Sequence, residues 1–122
     1  MATHYQVTTT TSTEDDATAL AQLCVERRLA ACGQVSGPIT SVYWWDGQLQ
    51  RAQEWRCTLK TSAQALGPLK AALREAHGYT TPEIVATGIE DGDADYLAWI
   101  DAETSPRSPA GPGPSARAPG DP

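Results

Sequence analysis

The sequence predicts an α+β domain with the element order β-α-β-β-α-β and one further helix at its end. Three observations carry this. Stretches rich in Val, Thr and aromatic residues at period two alternate with stretches whose apolar residues recur at helical spacing. Asp46-Gly47 separates two of the period-two stretches and fits a two-residue type I′ turn, whose central residues both need positive φ. The two middle strands therefore form a hairpin with a helical segment on either side of it, as the split-βαβ or ferredoxin-like order requires.

Each element has its own justification. Gln6 to Thr11 reads as the first strand. Ser12 and Thr13, followed by Asp15 and Asp16, give a capping pattern that opens a helix. In it Ala17, Leu20, Ala21, Cys24 and Val25 share a face, and Arg27 and Arg28 fall in the last turns, where cations suit the dipole. Ala30 to Trp45 is extended with a break at Gly37-Pro38, and Gln48 to Thr61 returns antiparallel. Leu66, Leu69, Leu73 and Ala76 mark the second helix, with Pro68 near its start and Gly78 as an αL cap. Glu83 to Ile89 is the fourth strand. Asp93 or Asp95 caps the final helix, which bears Tyr96, Leu97, Trp99 and Ile100.

The hairpin register can be read further. With Asp46-Gly47 as the turn, strict pairing sets Val35 against Thr58 and leaves Cys57 and Leu59 out of phase with the apolar residues opposite. One extra residue at Gly37-Pro38 brings Val35 opposite Cys57 and Gly33 opposite Leu59, so a β-bulge is expected there. Beyond it Tyr43, Trp44 and Trp45 are consecutive and must point to both faces of the hairpin. One small domain seldom covers both. A second subunit or a ligand is expected to cover the other.

Composition sets outer limits. The 122 residues fit one domain, and 40% hydrophobic content is enough to fill a core. A net charge of −6 argues against nonspecific binding to nucleic acid or to an anionic membrane. No apolar run is long enough to span a bilayer, and Met1 to His4 resembles no signal-peptide start, so a cytoplasmic location is expected. Three widely spaced cysteines make no disulfide framework. Residues 1–103 are read as the folded domain. From Ser105 onward the chain carries six of the nine prolines, three glycines and no large apolar residue, so residues 104–122 are expected to form a disordered tail. There is no Gly-rich phosphate loop, no G-x-S-x-G and no Ser-His-Asp set, so an enzyme is not expected.

Leu29-Ala30-Ala31-Cys32, the run Gly37 to Gly47, Lys60-Thr61, His77-Gly78-Tyr79, Pro82-Glu83-Ile84 and Tyr96-Leu97-Ala98-Trp99 together resemble the CutA family of divalent-cation tolerance proteins, over roughly residues 5–102. The resemblance implies a ferredoxin-like subunit, a homotrimer similar in shape to the PII signalling proteins, and a role in tolerance of divalent metals, with copper foremost. Two departures stand out. His77-Gly78-Tyr79-Thr80 replaces the family's usual His-Pro-Tyr-Glu, which removes one carboxylate beside the histidine, and Gly33-Gln34 replaces an apolar-Asn pair.

For a soft ion such as copper, thiolate and imidazole are the preferred donors, which makes Cys32, His77 and Glu83 the candidate metal set. None of them forms a short ligand motif, and each has a plainer reading. His77 suits a helix C-terminus, and Cys32 suits a small side chain at a strand start. Cys24 and Cys57 share faces with core residues. Tyr43, Trp44, Trp45, Glu54, Lys60, Tyr79 and Trp99 are the candidates for an inter-subunit cleft. Two functions follow: a factor that binds a divalent metal, no cofactor being required, or a PII-like trimer that holds a small ligand or partner in its clefts.

Overall fold

The computed structural model describes residues 2–106. Its order is β1 (His4–Thr11), α1 (Glu14–Glu26), β2 (Cys32–Trp45), β3 (Gln48–Ser62), α2 (Ala63–Ala76), β4 (Val85–Gly88) and α3 (Ala94–Thr104). One antiparallel sheet has the strand order β2-β3-β1-β4, which is the ferredoxin-like arrangement. The fourth strand is shorter than the run Glu83 to Ile89, because only four residues of β4 pair with β1. The tail expected from residue 104 lies outside the described residues from 107 onward, and α3 runs through Thr104.

One face of the sheet is covered by α1 and α2. Val7 of β1 and Cys57 and Leu59 of β3 meet Ala17, Leu20, Ala21 and Cys24 of α1 and Leu69 and Leu73 of α2. All of these side chains are buried, and at roughly 25 cal/mol per Å² of apolar surface removed from water this layer dominates the stability. The second face meets α3 at one end. Even-numbered residues of β1 and β3 point there, so Ser62 accepts from Thr104 Oγ1 at 2.9 Å and His4 Nε2 lies 3.0 Å from Asp101 Oδ1.

The ends of α1 show what the sequence does locally. Thr13 is the N-cap and accepts from Asp16 N–H at 3.1 Å. At the other end Arg27 is the C-cap, so neither arginine lies in the last helical turn. Arg28 takes the left-handed conformation (φ 62°), with Arg28 N–H on Val25 O and Leu29 N–H on Cys24 O, a Schellman closure without glycine. Gly78 is not an αL cap: the C-cap of α2 is His77, whose extended conformation takes the chain out of the helix without a left-handed residue. Pro68 stands inside α2 rather than near its start, since the helix is capped earlier, by Ser62 accepting from Ala65 N–H.

The hairpin follows the expected register to the residue. Cys32 to Ser36 pair with Lys60 to Arg56, Ile39 to Trp45 pair with Glu54 to Gln48, and the shift falls between Ser36 and Ile39. Asp46 and Gly47 have φ of 51° and 74°, the two positive values that the turn demands. Gly37, at φ 155°, lies against the Trp55 ring: a Cβ there would come within 2.6 Å of it, so only glycine fits. The bulge changes which residues face which side. Before it Gly33 and Val35 face the helices; after it Thr40, Val42 and Trp44 do, opposite Gln53, Arg51 and Leu49.

Candidate functional site

On the second face a cleft of about 500 Å³ lies between the hairpin and the segment that leaves α2. Ser41, Tyr43 and Trp45 line it from β2 and Glu54 from β3, all on one side of the hairpin because the register from the turn pairs odd residues of this part of β2 with even residues of β3, and Val42 lines it as well. Thr10 contributes from β1. Tyr79, Thr80, Thr81 and Glu83 close it from the connection to β4.

His77 holds that connection in place. Its Nε2 lies 2.8 Å from Thr10 O and its Nδ1 lies 3.1 Å from Tyr79 N. The first partner accepts and the second donates, so the ring is the neutral tautomer with the proton on Nε2, and both nitrogens are engaged. Tyr79 then turns its ring against His77, with centroids 4.8 Å apart, and its hydroxyl donates to Glu54 Oε2 at 2.9 Å. Burial pushes the Tyr79 phenol up to about 12, and the carboxylate of Glu54 adds to the shift.

Cys32 sits elsewhere. It pairs with Lys60, which in turn is level with Gln6, at the opposite end of the sheet from Thr10. Four residues of β1 separate the two levels, about 13 Å of strand. Within one chain Cys32 therefore does not share a ligand set with His77 or Glu83, and no group of three or more His, Cys, Asp or Glu side chains is gathered among the described residues. Cys32 is half-buried, against α3. Burial first, then the neighbouring Cys32, raises the Tyr96 phenol. The other two thiols are core: burial pushes Cys24 up to about 11 and Cys57 up to about 12.

Of the seven residues proposed for a cleft, Tyr43, Trp45, Glu54 and Tyr79 are brought together in one chain. Glu83, read from sequence as a metal ligand, joins them. Trp44 points to the other side of the hairpin and is 73% exposed. Lys60 lies six residues from Glu54 along β3, donating to Gln34 Oε1 at 2.6 Å. Trp99 stacks on Tyr96 of α3, with centroids 5.4 Å apart. Sequence reasoning missed Thr10, Ser41, Val42, Thr80 and Thr81 as lining residues. Ser41 was recoverable, since it shares the parity of Tyr43 and Trp45 once the bulge is placed.

The strand order, the bulged, protruding aromatic hairpin and the polar cleft beneath it define an α+β protein of the ferredoxin-like class. Comparison with known proteins gives the family. The chain belongs to the CutA1 divalent ion tolerance protein family, whose model matches residues 5–103. It is 39% identical over 95 residues to the divalent-cation tolerance protein CutA of Thermus thermophilus, covering 78% of this chain and 92% of that one. With the CutA of Escherichia coli O139:H28 it shares 38% over 90 residues, 72% of this chain and 80% of that one. Among solved structures it is similar to the Cut A1 protein of Thermus thermophilus, with a TM-score of 0.80, 37% identity and coverage of 84% and 99%. The CutA1 of Ehrlichia chaffeensis gives a TM-score of 0.81 at 27% identity, with coverage of 86% and 98%.

Proposed function

We propose that this protein is a cytoplasmic, non-enzymatic homotrimer that acts in divalent-cation tolerance, with copper as the ion. The observation that carries the assembly is the hairpin tip. Val42, Tyr43, Trp44, Trp45 and Leu49 are all exposed there, on both faces of a ribbon that no helix among the described residues covers. Apolar surface gathered in this way marks an interaction site. A trimer in which each tip lies on a neighbour would remove it from water and cover sheet edges as well. Such a trimer is PII-like in shape.

Cys32 supports the metal role. It is the one free thiol among the described residues outside the core, and a thiolate is the softest donor available to copper. His77 and Glu83 would have to reach it from another subunit, and His77 would have to give up a backbone partner. Copper occupancy would then be linked to assembly. The test is a copper titration under reducing conditions with the mass followed by light scattering. Cys32→Ser should weaken copper binding at least ~10-fold, about 1.4 kcal/mol, while Cys24→Ser should mainly lower stability. Equal copper affinity in Cys32→Ser and the parent would remove the thiolate site, and a one-subunit mass at micromolar concentration would remove the trimer.

A second reading is favoured by the cleft itself. Its aromatic walls and carboxylates fit a small ligand held between subunits, with metal sensitivity indirect.

A further inference from the structure

We propose that the cleft beneath the hairpin binds an organic cation, a guanidinium or alkylammonium head, against the Trp45 and Tyr43 rings with Glu54 and Glu83 as its counter-charges. This rests on the second reading above and names its ligand class. Two carboxylates line the cleft, and none of its lining residues is Lys, Arg or His. Glu54 is half-buried and held by the Tyr79 hydroxyl through Oε2, which leaves Oε1 for a ligand.

The lining separates the ligand classes. An anion would meet two like charges and no basic partner. A neutral apolar ligand would strip water from carboxylates and return nothing to them. A hard divalent ion collects six or more oxygens and gains little from indole or phenol walls. A cation with a delocalised or alkylated head gains from both the rings and the carboxylates. Ser41, Thr10, Thr80 and Thr81 supply hydroxyl acceptors for its N–H groups. A volume of about 500 Å³ is enough for such a head with a short stem.

The head can come from a free small molecule or from an arginine of this chain. Beyond α3 the sequence carries Arg107 and Arg117. From Ser62, which bonds to the end of α3, to Glu54 is about 26 Å along β3. Arg107 is too close to Thr104 to span that, whereas an extended chain reaches about 40 Å by Arg117.

The experiment is calorimetric titration of agmatine, in chelator-treated low-salt buffer, into the full chain, the chain ending at Pro106, and Glu54→Gln/Glu83→Gln. The double variant keeps an acceptor for Tyr79 and should bind agmatine at least tenfold more weakly, and binding by the full chain should fall as salt is raised. If the shortened chain binds at least tenfold more tightly than the full chain, the tail arginine is the resident occupant. Equal affinity assigns the site to a free small cation. Absence of agmatine binding to both chains overturns the proposal, as does equal affinity in Glu54→Gln/Glu83→Gln, or displacement of agmatine by an equimolar divalent ion. Light scattering on each sample separates failure of the trimer from failure of the site.

Discussion

Leu59 and Leu49 stand on the same strand, ten residues apart, and point to the same side of it. Leu59 is fully buried beneath α1 and α2, and Leu49 is 62% exposed across from Trp44. The same residue type in the same local structure thus does two jobs, according to whether a helix of its own chain lies over it. At the covered end side-chain chemistry is set by volume. At the projecting end it is set by what another molecule brings.

The contrast can be broken or sharpened by substitutions at either end. The largest effect should come from Trp44→Ala combined with Trp45→Ala. Aromatic truncations at buried sites cost ~3–5 kcal/mol each, so in the proposed trimer the double variant should dissociate on dilution in the ultracentrifuge. The fold seen by circular dichroism should persist, because neither ring belongs to the core of its own chain. Next, Leu59→Ala should lower the urea-unfolding free energy by ~2–5 kcal/mol. Leu49→Ala should stay within ~0.5 kcal/mol for an isolated subunit, and a cost well above that would identify a covering chain.

Two glycines give a finer comparison. A Cβ on Gly33 would come 2.8 Å from Ala21 Cβ and 3.1 Å from Leu59 Cδ2. Gly33→Ala should therefore overpack the helix layer by ~1–3 kcal/mol, and adding Ala21→Gly should relieve it. Gly47 has nothing within 4 Å of a Cβ but has a φ of 74°. Gly47→Ala should cost ~1–2 kcal/mol through the backbone alone, and Gly47→Asn should recover part of it. Rescue in the crossed combinations would erase the distinction.

A further effect is confined to alkaline pH. In the unfolded chain both core thiols ionise near 9.0; in the fold Cys24 is held up to about 11 and Cys57 to about 12. Above pH 9 the folded state keeps protons that the unfolded state gives up. This contribution to stability is complete below pH 9 and is lost as pH rises through 11 to 12. Cys57→Ala should flatten that loss in pH-dependent urea unfolding. An unchanged slope would mean that the thiols ionise without opening the core. Tyr79 shifts in the same direction, but at the rim of the cleft solvent screens its contribution.

Much of the architecture was legible because it rests on local rules. The turn at Asp46-Gly47 follows from positive φ, and the bulge at Gly37-Pro38 from the need to keep Val35 and Gly33 in phase with Cys57 and Leu59. The end of α1 was not legible, since arginine seldom takes the conformation that Arg28 adopts. Part of the site was hidden for a different reason. Cys32 and His77 both matched the donor chemistry, yet their separation along the sheet is a tertiary fact that spacing in sequence does not encode. Tyr96 meets Cys32 across 64 positions, and nothing in either neighbourhood announces it.

The bulge works like a shift of reading frame. Upstream of Gly37 the odd residues of β2 face the helices; downstream the even ones do, while the partner strand keeps a single parity throughout. The unbroken strand β3 is therefore the reference for both arms, since residues paired across the ladder share a side. With one residue removed at the bulge, Ser36 would still stand opposite Arg56 and Ile39 opposite Glu54, and Tyr43 and Trp45 would stay on the cleft side. What the extra residue adds is the local bend and twist that aim the ribbon, so a length change of one at this position would re-aim the tip without changing the letters on either stripe.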